Sequence, residues 1–174
     1  IHGDLHTGNL LIQGSSRSDP TRLHHAQVCF IDLDSLAQGH ACVDLALLAS
    51  RLILQALLGQ ASAGEVGEAI RKWPYEYAKS SGDETVTRTY PWMVSALLLA
   101  RQIKTGIRHL APDMAQISSS LIDLSMAISM RRTMDWNFDE CLQRSCEQLK
   151  QHRHEDKEAG AARQFNLLTM EASS

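Results

Sequence analysis

The sequence predicts an α+β protein, mostly α-helical, with a short β-hairpin near its N-terminus. Two short apolar runs, Leu10-Leu11-Ile12 and Val28-Cys29-Phe30-Ile31, flank a polar stretch containing Gly14, Asp19-Pro20 and His24-His25. That is the pattern of two strands joined by a loop. From Ala41 onward the apolar residues recur at helical spacing instead. With 44% hydrophobic and 21% charged residues in 174, the chain can bury a sizeable core.

Each helical segment has a readable start or stop. Asp44 is placed to cap a helix whose Leu45, Leu48 and Leu52 crowd almost every face, so burial on most sides is expected. Ser62-Ala63-Gly64-Glu65 is a capping-box pattern, and Val66, Ile70, Trp73 and Tyr77 then fall on one stripe. Pro74 is expected to end or kink that helix at Trp73. Pro91 is expected to open the next helix, which Ala111-Pro112 stops near Leu110. Asp113 is a candidate cap for a helix carrying Ile117, Leu121, Leu124 and Ile128, and Asn137 for an amphipathic one through Leu149. The spacing of Met126, Met130 and Met134 suggests core packing. The organisation expected is a lobe over residues 1–151, with a hairpin region at 1–34 and a helical body at 41–151, followed by a flexible tail at 152–174.

Bulk properties narrow the function. A net charge of −3 and a pI near 6.2 argue against nucleic-acid or anionic-membrane binding, which needs a basic surface. The longest apolar stretch, residues 45–58, is too short to span a bilayer and carries Arg51. Cys29, Cys42, Cys141 and Cys146 lack C-x-x-C spacing, and no basic, apolar leader is visible, so a cytoplasmic location is expected. His24, His25, His152 and His154 lack clustered partners at metal-ligand spacing and read as solvated.

The chemistry concentrates in His2-Gly3-Asp4-Leu5-His6-Thr7-Gly8-Asn9 and in Ile31-Asp32-Leu33-Asp34. Moving a phosphoryl group asks a protein for positioning and charge neutralisation more than for covalent work. A carboxylate beside an acceptor hydroxyl orients it and takes its proton, and Asp4 is the candidate. Magnesium takes hard oxygen ligands and keeps waters and phosphate oxygens, so Asn9 and Asp32 suffice as protein ligands. Asp34 shares a face with Asp32 if the strand stays extended, and is a less certain third ligand. His2 and His6 are read as structural supports, and Asp44 as a cap and loop support.

The composite H-G-D-x-H-x-x-N followed by I-D-x-D resembles the catalytic and metal-binding loops of the aminoglycoside phosphotransferase and choline kinase-like family, relatives of protein kinases. The likeness covers about the first quarter of the chain. It implies that Asp4 is the catalytic aspartate, Asn9 the catalytic-loop metal ligand and Asp32 the metal-binding aspartate at the start of the D-F-G-like segment. Val43-Asp44-Leu45-Ala46 is similar to the family's D-L-A element, although Gly39-His40-Ala41 stands where the family often has Gly-Asp-Pro. The resemblance implies the C-terminal lobe of a protein-kinase-like fold, with ATP as phosphate donor, Mg²⁺ as cofactor and a small hydroxyl-bearing acceptor such as an aminoglycoside, sugar or amino alcohol. It also implies a preceding N-terminal lobe with a glycine-rich loop, an ATP-pairing lysine and its partner glutamate. Without that lobe the chain is expected to be inactive. In the intact enzyme residues 65–136 are expected to wall the acceptor pocket, with Glu76, Asp83, Glu84 and Asp135 available to a cationic acceptor. Two other readings stand beside this one. One is a catalytically inactive kinase-like binding module. The other is a metal-dependent phosphoesterase built on His2, Asp4 and His6, which would need further downstream ligands.

Overall fold

The computed structural model describes residues 1–13, 27–108, 112–131 and 137–171. His24-His25 and Asp135 lie outside them. Two strands, β1 (Leu10–Gln13) and β2 (Gln27–Phe30), pair antiparallel with Leu10 opposite Phe30 and Gln13 opposite Gln27. Five helices follow: α1 (Cys42–Leu57), α2 (Ala63–Ser81), α3 (Thr85–Arg108), α4 (Pro112–Arg131) and α5 (Phe138–Glu171). The protein is therefore α+β and mostly helical. Among the described residues no helix is long and apolar enough to cross a membrane.

The core lies where α1 packs against α2, α3 and α5 and where α4 packs against α3 and α5. The buried face of α1 is made mostly of small residues: Cys42, Ala46, Ala49, Ser50 and Ala56 are buried, with Ile53 and Leu57. Leu45, Leu48 and Leu52 are only half-buried. Short side chains let neighbouring helices approach closely, which leaves the longer leucines at the edges of the contact. Along α3 the buried stripe is Val86, Tyr90, Val94 and Leu98, a strict four-residue step. Its Ser95 meets Ser125 and Ser129 of α4 through hydroxyl bonds of 2.8 and 2.6 Å, so the polar groups in that contact satisfy one another.

Several sequence expectations change. Pro74 neither stops nor divides α2, which runs to Ser81, and Pro91 lies inside α3 instead of opening it. Both prolines are buried, and the apolar stripes on either side hold each helix across the missing amide. Asp44 is not the cap of α1; Ala41 is, and Asp44 lies in the first turn. Pro112 is the first residue of α4, and Asp113 is inside it. Met126 and Met130 are 51% and 75% exposed, so they do not pack in the core. The helix periodicity was right there, but the methionines sit off its buried stripe of Ile117, Leu121, Leu124 and Ile128. Two local signals agree with the structure. The Ser62 hydroxyl accepts the Glu65 amide at the start of α2, and Asn137 immediately precedes α5. Position 152, drawn as the start of the tail, falls inside α5, which continues to Glu171.

Candidate functional site

The segment of residues 2–9 is laid along α1 and tied to it at both ends. At one end the Asp44 carboxylate accepts the His2 amide at 2.6 Å and the Gly3 amide at 2.8 Å. At the other, the Gln55 side-chain amide donates to the Thr7 hydroxyl at 3.3 Å. From Asp44 to Gln55 a helix rises about 16 Å. An extended chain from His2 to Thr7 covers about 17 Å. The segment itself bends at Gly3 and Asp4 and enters a 3₁₀ turn at Thr7–Asn9, so it spans less than that limit between its two ties. Leu5 points inward and is buried between these ties.

Gly3 is where this path needs glycine. Its φ is +81°, and a Cβ there would lie 2.5 Å from the Ser35 carbonyl oxygen. The segment after Asp32 thus closes directly over the segment before Asp4. A backbone bond from the Ala37 amide to the Ile1 carbonyl, 3.1 Å, secures the same closure.

Asp4 presents a half-exposed carboxylate, while its backbone carbonyl accepts the Asn9 side-chain amide at 3.1 Å. Asn9 is 95% buried, being 5% exposed, and that bond orients it. With its NH₂ group engaged, its carbonyl oxygen is the end left to accept a cation. No hydrogen bond to that oxygen occurs among the described residues. The backbone of Asn9 reaches the other loop, since its carbonyl accepts the Ile31 amide at 3.0 Å. Asp32 is therefore one residue beyond the partner of Asn9.

Asp32 has φ 59° and ψ 63°, the one non-glycine residue with positive φ among those described. Aspartate tolerates this left-handed conformation better than most residues, and here it turns the chain sharply out of β2. A short 3₁₀ turn, Leu33–Ser35, follows at once. The condition for Asp34 to share a face with Asp32 was an extended strand, and the strand stops at Phe30. Asp34 accordingly lies in a 3₁₀ turn and shares no strand face with Asp32. Both carboxylates are exposed.

The histidines have definite tasks. His2 is buried and its Nε2 lies 2.9 Å from the Ile31 carbonyl. A carbonyl only accepts, so Nε2 carries the proton, and the ring bolts the first loop to the second. Its Nδ1 is buried and has no partner among the described residues. His6 Nδ1 accepts the Gly8 amide at 3.0 Å, which puts the proton of the neutral ring on Nε2. That nitrogen faces Asp4 Oδ2 at 3.7 Å, too far for a hydrogen bond in this geometry.

A groove of about 1090 Å³ adjoins this segment: His2, Phe30, Leu36, Asp44, Tyr77 and Asp83 line it, and Asp4, Asn9 and Asp32 do not. Among the described residues no three His, Cys, Asp or Glu side chains converge as a metal cluster. A magnesium site of one aspartate and one asparagine does not need such a cluster, and the free Asn9 oxygen with the exposed Asp32 carboxylate fits the hard-oxygen chemistry of that ion.

Two residues near the site were not singled out by sequence reasoning. Arg51 falls on the Asp44–Gln55 face of α1, within about 40° of both by helical rotation. Arg101 continues the buried stripe of α3, three residues after Leu98, and its Nε donates to the buried Ser50 hydroxyl at 2.9 Å. A charged residue at a stripe position was the signal available, but it gains meaning only once α1 and α3 are packed together.

No family model, no curated protein and no solved structure matches the chain.

Proposed function

We propose that the chain is the C-terminal lobe of an ATP-dependent small-molecule kinase, of the aminoglycoside phosphotransferase and choline kinase-like type, which passes the γ-phosphate to a hydroxyl group. One observation carries the reading. The buried Asn9 is bonded through its side chain to Asp4 and through its backbone to Ile31, next to the left-handed Asp32. Three residues required in order by the chemistry are thus mechanically linked, although more than twenty positions separate the second from the third.

In this reading Asp4 receives the acceptor's proton as the new P–O bond forms, and its half-exposed carboxylate is open to a substrate. Asn9 and Asp32 would hold magnesium, which when bound offsets negative charge on the phosphate oxygens. His2 and Asp44 keep the two loops in register, and His6 shapes the turn between Asp4 and Asn9. A separate ATP-clamping lobe and a cytoplasmic location belong to the same proposal, the latter supported by four unpaired thiols.

Manganese added to the chain as a paramagnetic stand-in for magnesium tests this directly. Broadening of amide signals should centre on Asn9 and Asp32 and disappear in Asp32→Ala. In the intact enzyme, Asp4→Ala should lower ATP-dependent phosphorylation by about 10²-fold or more while sparing the manganese effect. Broadening centred elsewhere, or insensitive to Asp32→Ala, would remove the reading.

A further inference from the structure

Ser95 of α3 meets Ser125 and Ser129 of α4 along a seam whose hydroxyls satisfy one another. Ser95 lies thirteen residues before the end of α3, and Ser125 thirteen residues after the start of α4, so the two helices run antiparallel in even register. The seam divides their side chains. On α4, Leu124 and Ile128 precede the two serines and are fully buried, while Met126 and Met130 follow them and are 51% and 75% exposed. On α3, Val94 and Leu98 face the core, while Trp92 and Leu99, seven residues apart on one stripe, are 50% and 41% exposed. The four exposed side chains therefore flank the outer edge of one seam, within about 14 Å along the helices.

Single exposed apolar residues are ordinary, but a contiguous group is not. These four leave about 450 Å² of side-chain surface on one face, the size of patches that serve as contact surfaces. Two such faces set together with their polar margins would bury about 1,000 Å², the lower bound of a specific interface.

The charges at the margins say which partner fits. Arg88 is exposed and lies about 9 Å from the middle of the patch, toward the start of α3. Asp123 is exposed and lies about 5 Å from the middle, toward the start of α4. Because the helices are antiparallel, these are opposite ends of the patch. The two are thus too far apart to pair within one chain, and neither has an ion-pair partner among the described residues. A two-fold axis through the middle of the patch exchanges its ends. It brings Arg88 of one copy near Asp123 of the other, twice, while the apolar side chains meet one another. A face with a cation at one end and an anion at the other is complementary to itself.

We propose that the outer face of α3 and α4 is the contact through which two copies of this chain associate, with Trp92 and Met126 at its centre and Arg88 of each copy against Asp123 of the other. The inference goes beyond the kinase reading and uses none of the residues of the candidate site. Thioether side chains adapt to an irregular opposing surface, and tryptophan is among the residues that most often anchor such contacts.

Sedimentation equilibrium of the chain from micromolar to near-millimolar concentration should show a reversible monomer–dimer equilibrium. Trp92→Glu and Met126→Glu should each weaken it by about tenfold or more, because each sets two like charges in an apolar contact. Circular dichroism and melting at low concentration, where the unaltered chain is monomeric, identify any variant that has lost its fold. Arg88→Glu alone and Asp123→Arg alone should each weaken self-association by about fivefold or more, since each creates two like-charged contacts. Mixed in equal amounts, those two variants should associate with one another more tightly than either does with itself, because every margin pair is then of opposite charge. A general loss of stability cannot produce that recovery. A chain that stays monomeric throughout would overturn the proposal and leave the face to a different partner. Association unchanged by both Trp92→Glu and Met126→Glu, or a mixture no tighter than its components, would overturn it equally.

Discussion

Asp44 sits in the first turn of α1, where a carboxylate ordinarily serves the free amides of its own helix, yet it accepts from His2 and Gly3. Both roles are favourable, but they differ in size. A negative charge near a helix N-terminus contributes about 0.3–1 kcal/mol. Two charge-assisted bonds to partly buried amides contribute more, because removing the acceptor strands both donors. Asp44→Ala should therefore lower unfolding stability by about 2–4 kcal/mol. Asp44→Asn keeps one acceptor oxygen and should lose about half as much. Chemical denaturation at unchanged m-value reads both. Equal, small losses would reduce Asp44 to a dipole effect and leave the loop held by other means. The residue was legible as a loop support from its place in V-D-L-A, whereas its two amide partners, more than forty positions upstream, were not. Arg51 and Arg101 were less legible still. Arg101 shares α3 with Arg88 and Lys104, so its charge alone did not mark it, and its meaning depends on the Ser50 hydroxyl that it meets on α1.

Gly67 marks a close approach between α2 and α5. A Cβ there would lie 2.6 Å from the Asp139 Cα and 2.8 Å from its Cβ, atoms that cannot move without moving the helix. In a free helix, replacing glycine by alanine gains about 1 kcal/mol. Here the steric cost should reverse the sign, so Gly67→Ala should lower the melting temperature. Gly64, in the same helix, has nothing within 4 Å of its missing Cβ, and Gly64→Ala should be neutral or stabilising. If both substitutions raised the melting temperature, the α2–α5 contact would not be as close as described. The start of α2 was legible for a related reason: the Ser62 hydroxyl acts on the Glu65 amide within its own turn. The stop expected at Pro74 and the start expected at Pro91 were misjudged because the penalty of a proline is local, about 3 kcal/mol, and burial along the rest of the helix exceeds it. The mismatch between leucine spacing and the alanine-lined core of α1 has the same origin, since packing partners decide which face is buried.

The two halves of the candidate site rest on supports of unequal strength. Asp4 belongs to a segment tied along α1, whose Ala46, Ala49 and Ile53 are fully buried in the helical core. Asp32 follows a two-stranded hairpin whose β2 residues are all exposed, Val28 and Phe30 among them at 53% and 51%. A two-stranded hairpin is marginal by itself, and this one joins the body through the His2 ring and the Asn9–Ile31 backbone bond. Native-state hydrogen exchange should therefore divide the molecule. Amides of Ile53, Leu98 and Leu124 should exchange only through global unfolding, and those of β1, β2 and Ile31 through a local opening several kcal/mol easier. Denaturant dependence separates the two classes, because a local opening exposes little surface. In the proposed enzyme that opening would carry Asp32 away from Asn9 while Asp4 stays in place, so a metal–nucleotide complex bridging them must close the hairpin as it binds. Mg·ATP, where it binds, should then raise protection at Ile31 and β2 selectively and leave Ile53 unchanged. Hairpin amides that exchange with the same free energy as the core would mean that the site is rigid before any ligand arrives, and closure of the hairpin would have no part in assembling it.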